Sequence, residues 1–452
     1  MFFRFRVLHI ALITLIALLC LPQLRTIFRA APAGQYNSRV EIPTSGNIDE
    51  RPFFSTRRHP AIAYSDSPTT DAAGELQRKV DGGAVNLKFE GRGGFLNSVL
   101  NELHVSPTTQ SIVFSKTSLQ AHYISPTNPR AIFYSDNISV AFIPGAPLLE
   151  IAALDPKQGV VFYAISQQED GKIYRSDSCL SCHEARDSMG VPGYLARSVG
   201  SGMEGETLSD FGDYVSDHRS PFEQRWGGWF ITGKAGSVHH MGNVLLKADA
   251  VPGRAYSVPQ SLASLDGKFN LDGYPSHYSD VAAVLVLDHQ VKMTNLLTRV
   301  GWEARIAQDQ ADKNPEDKAK ADEIVRSDVR ALVDYMLFVD EAPLEGKFES
   351  TSGFQAKFSS EGVMDRMGRS LKQLDLGKRL MKYPCSYMIY SPAFDGLPTT
   401  VRDAVYARMW EVLSGKDTAR KYSKLTAADR SAVIDILRET KSNLPAYFKA
   451  LK

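Results

Sequence analysis

Ala131-Ile132-Phe133-Tyr134-Ser135-Asp136-Asn137-Ile138-Ser139-Val140-Ala141-Phe142-Ile143 reads as two β-strands joined by a polar turn. β-Branched and aromatic residues fill both arms, and Ser-Asp-Asn between them is turn chemistry, so a hairpin is expected. Residues 148–154 and 159–165 repeat the pattern, joined through Asp155-Pro156-Lys157-Gln158. The stretch 111–165 is therefore expected to be sheet. Sheet is expected again in Trp229-Phe230-Ile231-Thr232 and in residues 243–246.

Outside this stretch the apolar period changes. Leu96, Val99, Leu100 and Leu103 share one face of a short helix over residues 95–103. In the last third Ile324, Val325, Val329, Leu332, Val333, Met336 and Leu337 recur at helical spacing. Residues 400–413 run to Gly415, a favourable helix stop, and Thr426-Ala427-Ala428-Asp429 opens another helix with a capping pattern. Strands first and helices afterwards, with no internal repeat, predict an α+β fold.

Composition sets bounds. Lys and Arg number 52 and Asp and Glu 51 in 452 residues, so the formal charge is +1 and no basic tail points to nucleic acid. Residues 1–33 carry Arg4 and Arg6, an apolar run, and then Ala31-Pro32-Ala33. They read as a signal peptide or an N-terminal anchor, which makes the chain exported and periplasmic. Membrane contact is expected only through that segment, since no later stretch reaches spanning length. Residues 34–81 are rich in Pro, Ser, Thr and charged residues and read as an extended leader wrapped over, or tethered to, the body. The further division is a β-rich region at 82–170, a motif-bearing segment at 171–260 and a mainly helical region at 261–452.

The chain has four cysteines, and two of them lie in Cys179-Leu180-Ser181-Cys182-His183. Two thiols at this spacing can add across both vinyl groups of one haem, and the histidine that follows supplies the proximal nitrogen. Rival readings account for less. A thioredoxin-like pair needs βαβ surroundings, and a zinc site needs a second compact ligand pair, while Cys20 and Cys385 are remote. A disulfide leaves His183 unexplained. Cys385 itself reads as a buried small hydrophobe.

The segment Asp217-His218-Arg219-Ser220-Pro221-Phe222-Glu223-Gln224-Arg225-Trp226-Gly227-Gly228-Trp229 follows the motif. Arg219 and Arg225 could meet haem propionates, and Trp226 and Trp229 could cover the ring. A turn-and-strand core motif with surface arginines is the plainer alternative. For the sixth iron ligand Met241 ranks first, 58 positions after His183 in a His-His-Met-Gly-Asn run. His289, one helical turn from Met293, and His218 or His240 follow, and an iron with no sixth protein ligand stays open.

The pentapeptide resembles that of c-type cytochromes. The resemblance implies thioether attachment through Cys179 and Cys182, proximal ligation by His183, and one haem c. It covers only those residues, and the rest does not look like the compact all-helical cytochrome c domain. Residues 178–192, 216–232, 240–243 and 383–394 look similar to large single-haem bacterial proteins, a resemblance that brings a class and no reaction.

The first expectation is single-electron transfer with redox partner proteins in the periplasm or at the membrane. The alternatives are a peroxidase-like haem enzyme with an open distal site, or a haem-based sensor or structural subunit. In the enzyme reading His218, Arg219, His239 and His240 are the acid–base candidates. A single motif argues against di-haem and multihaem architectures.

Overall fold

The computed structural model describes residues 40–449 except 44–47, 54, 169–170, 253–255 and 257–260. The expected signal or anchor segment lies outside the described residues, and so does the start of the leader. Among the described residues no helix is long and apolar enough to cross a membrane.

The fold is α+β. Seven antiparallel strands form one sheet: β1 (Ser111–Val113), β2 (Arg130–Tyr134), β3 (Ile138–Phe142), β4 (Leu148–Asp155), β5 (Gly159–Ser166), β6 (Ile173–Arg175) and, after a long excursion, β9 (Trp229–Phe230). The hairpin read from residues 131–143 is present, with Ile132 opposite Ala141 and Tyr134 opposite Ser139. In the turn between β4 and β5 the Asp155 carboxylate accepts the N–H groups of Lys157 and Gln158 at 2.9 Å. Gly159 then takes φ +83°, and a Cβ there would lie 2.3 Å from the Thr298 methyl. Only glycine lets the following helix approach so closely.

Strand order β6-β5-β4-β3-β2-β1-β9 decides where the motif goes. The chain leaves the sheet at the β6 edge and rejoins it at the opposite edge, where Trp229 pairs with Val113. Residues 176–228 must therefore cross the sheet, and this crossing carries Cys179 to His183. It contains the short helix α3 (Leu180–His183) and a two-stranded ribbon, β7 (Arg197–Val199) with β8 (Asp213–Val215). Of the later sheet predicted from sequence, residues 229–230 form the edge strand. Residues 243–246 contribute one isolated bridge, between Leu246 and Gly202.

The two sheet faces differ in side-chain size. Phe133, Val140, Phe142, Leu149, Ile151, Val161 and Ile165 alternate onto one face and are fully buried. On the other, paired rows run Ile132–Ala141–Glu150–Ala164 and Tyr134–Ser139–Ala152–Phe162. Small residues at the centre of these rows leave a trough across the sheet.

Helices α1 (Ala72–Asp81) and α2 (Leu96–Glu102) precede the sheet. The C-terminal part is built on α4 (Val281–Lys313), 33 residues long and buried on nearly every side over its first two-thirds. Asp280 caps it, accepting the Ala282 N–H at 2.9 Å while its other oxygen gathers Ser350, Thr351 and Ser352. Helix α5 (Lys318–Met336) packs along α4 with Ile324, Val329, Leu332, Val333 and Met336 buried. Residues 399–413 and 427–440 form the helices expected there, and the second opens with a reciprocal Thr426–Asp429 capping box.

The described part of the leader crosses the body. The Tyr64 hydroxyl donates to Val160 O at 2.8 Å and its ring meets Trp302 edge-on. Arg51 is buried and bridges Glu303 of α4 and Asp328 of α5.

Candidate functional site

The trough is roofed by the motif crossing and by α4, and a cavity of about 340 Å³ lies between them. That size falls at the lower end of the range for cofactor sites. Cys179, Cys182 and His183 all line it. The same cavity is lined by Ile132, Ala141, Ala152 and Phe162 of the sheet and by Leu287 and Val291 of α4. Positions 287 and 291 are one helical turn apart, so α4 presents an apolar stripe. The lining also includes the charged residues Lys116, Arg130, Glu150 and Arg197 and several hydroxyl side chains.

His183 is positioned by backbone. Its Nδ1 is 2.9 Å from Gly193 O, and Gly193 N donates back to His183 O at 2.9 Å. An Nδ1–H bonded to a carbonyl fixes the tautomer and leaves Nε2 with its lone pair. Among the described residues Nε2 has no hydrogen-bond partner. Burial keeps the ring neutral by lowering its pKa below the ordinary histidine value. Its ring packs 4.9 Å from that of Phe162. A neutral, oriented imidazole with a free Nε2 beside two thiols is the donor set that a covalently attached haem requires, so the residues fit the group.

Asn295 of α4 holds the support for that histidine. Its side chain accepts the Tyr194 N–H and donates to Tyr194 O, both at 2.9 Å. Gly193 is required beside it, because a Cβ would lie 2.2 Å from Asn295 Oδ1. The Tyr194 hydroxyl then reaches Ala152 O on the sheet at 3.0 Å. Asn295, Tyr194 and Gly193 were not singled out from sequence. A lone asparagine in an apolar helix was the one available signal.

The two thiols differ. Cys182 is exposed, while Cys179 is partly buried and its pKa is raised by burial and by the Glu150 carboxylate. No disulfide joins them. Cys385 is fully buried away from the motif, its thiol pushed up to about 12 by burial.

The candidate distal ligands lie elsewhere; none of Met241, His289, His218 and His240 lines the cavity. Met241 is buried behind β7, its sulfur accepting the Ser198 hydroxyl at 3.6 Å. His240 packs edge-on to Trp226, with Nδ1 accepting the Gly242 N–H. His218 and His289 form a buried pair, Nδ1 to Nδ1 at 2.8 Å, and His289 Nε2 meets the Ser386 hydroxyl at 2.8 Å. Tyr335 and Phe338 sandwich the pair. One imidazole must donate to the other, so the acceptor is neutral, and burial lowers the pKa of both, that of His289 to about 3, which keeps the donor neutral as well. On α4, position 289 turns away from the face that carries Leu287 and Val291.

Of the four proposed haem neighbours, Trp229 lines the cavity, its indole N–H donating to Arg197 O at 2.7 Å. Trp226 and Arg225 instead meet Asp288, whose burial raises its pKa to about 6. Arg219 pairs with Asp217 and Asp49 over the Tyr335 ring. Trp226 and Arg225 are buried in the core, and Arg219 is half-buried over Tyr335, which stacks on His218. Sequence proximity to the motif misled here because the chain folds back after residue 200. His239 is exposed near Tyr256 O.

No protein-family model, no curated protein and no solved structure matches this chain.

Proposed function

We propose that this chain is an exported c-type haem protein whose metal takes one protein ligand, His183, and keeps its other side for a small exogenous ligand. The observation that supports this is the composition of the cavity. Among the described residues that line it, His183 is the one histidine and there is no methionine. The haem, attached through Cys179 and Cys182, would supply one-electron redox chemistry and an exchangeable coordination position.

The chain's own residues divide the remaining work. Gly193 O holds the His183 tautomer, and Asn295 holds the loop that carries Gly193. Ile132, Phe162, Leu287 and Val291 would give the ring apolar contacts. Exposure of Cys182 leaves the thioether edge accessible, which favours electron exchange with a periplasmic or membrane-bound partner at that edge. Electron transfer and small-ligand chemistry are thus two uses of one site. The open side favours the enzyme or sensor alternative over a closed carrier.

The ferrous protein is expected to bind carbon monoxide rapidly, and the ferric protein to be high spin. Met241→Ala should leave both spectra unchanged. A low-spin protein that resists carbon monoxide, and becomes high spin on Met241→Ala, would return Met241 to the iron and overturn the open site.

A further inference from the structure

We infer that the exogenous ligand reaches the cavity through its wall at Val291, and that it is a small uncharged molecule of diatomic size. The inference rests on the haem reading above and names the class of ligand. A second cleft, of about 170 Å³, borders α4 beside the cavity. Asp49, Arg186, Asp187, Asp217, Lys292 and Asn295 line it, so its surface is mostly polar. Arg186 and Asp187 are exposed, which opens the cleft to water. Among the described residues Val291 is the one that lines both the cleft and the cavity.

Helix geometry places Val291 on the boundary for the same reason. Successive residues turn by about 100°, so from Leu287 it is about 40° to Val291, 80° to Asn295 and 140° to Lys292. Leu287 lines the cavity, and Asn295 and Lys292 line the cleft. Val291 stands between them, buried, and a valine in a helix holds essentially one rotamer. The width of the partition is therefore set by side-chain size. Asn295 marks the side that holds His183, since it accepts the Tyr194 N–H beside Gly193. Val291 and Leu287 lead away from that side, one and two turns along α4. The cavity's own mouth lies where Cys182 and Leu119 are exposed. A haem joined to Cys182 occupies that mouth, which leaves the thin wall as the way in. Moving an ion from the polar cleft past Val291 and Leu287 is strongly unfavourable, whereas a small uncharged molecule crosses with little loss of solvation.

The test follows carbon monoxide binding to the ferrous holoprotein after flash photolysis. Val291→Ala should raise the association rate roughly tenfold, about 1.4 kcal/mol off the entry barrier. Val291→Ile, one methylene larger, should lower it, and it carries the test if the alanine variant does not fold. Butyl isocyanide, uncharged but larger, should gain more from Val291→Ala than carbon monoxide does. Leu119→Ala, at the mouth, should leave both rates unchanged. Azide, a small anion, should bind the ferric protein more slowly than it binds haem on a free peptide of the motif. Rates that ignore both Val291 variants, or that rise with Leu119→Ala, would overturn the inference by placing entry at the mouth. Azide binding as fast as to the free haem peptide would overturn the ligand class. Absence of covalent haem from the wild type, or an iron that does not take up carbon monoxide, would instead defeat the haem reading or its open site.

Discussion

Chains carrying both Cys179→Ala and Cys182→Ala are expected to lose all their haem to acidified organic solvent, while the wild type retains it through denaturation. The thiols differ in exposure. Cys182 is exposed and Cys179 partly buried against the sheet. Either single substitution should leave one thioether and a shifted ferrous absorption band, because one vinyl group stays unsaturated. The cavity persists without the thiols, since sheet and α4 build most of it. The double variant should therefore keep some haem bound through His183 until it is unfolded. Haem that stays with the denatured double variant would mean that attachment lies elsewhere.

Arg51→Ala is expected to destabilise the fold by about 3–5 kcal/mol, the usual cost of removing one partner from a buried ion pair. Arg51 lies inside the molecule between Glu303 and Asp328, both on helices, and its own carbonyl accepts from Arg299 at 2.9 Å. Without it the Asp328 carboxylate is buried with Glu303 as a like-charged neighbour. Burial and that neighbour already push the Asp328 pKa well above the ordinary carboxylate value. Protonation of Asp328 limits the loss, so Asp328→Asn added to Arg51→Ala should recover part of it. Denaturant unfolding measures both. A change under 1 kcal/mol would mean that the leader is not integral to the fold.

The strands were legible because each carries a simple local signal. Ser135-Asp136-Asn137 is a turn between two β-branched arms, and the hairpin forms where those residues place it. The Thr426 capping pattern and Gly415 behaved in the same way. The motif was legible because its five residues meet one chemical requirement. What could not be read was distance across the fold. Met241 has a plausible separation from His183, yet it is buried behind β7 because the chain must reach the far sheet edge at Trp229. His289 shares α4 with Leu287 and Val291, but two positions along a helix is a rotation of about 200°. Arg130 and Arg197 carried no local signal at all. Sheet register and the crossing of residues 176–228 bring both to the cavity, and neither is visible before strand order is known. The small residues Ser139, Ala141 and Ala152 sat in plain view, but alternation alone does not say that a trough rather than a helix covers them.

On this reading one haem is bonded to the chain through both thiols of the motif. The most direct measurement is the mass of the proteolytic fragment that spans Cys179 to His183, taken from protein purified after export. That fragment is expected to carry one haem, with both thiols consumed and no free thiol on alkylation. An unmodified fragment, or one whose two cysteines are joined in a disulfide, would contradict it.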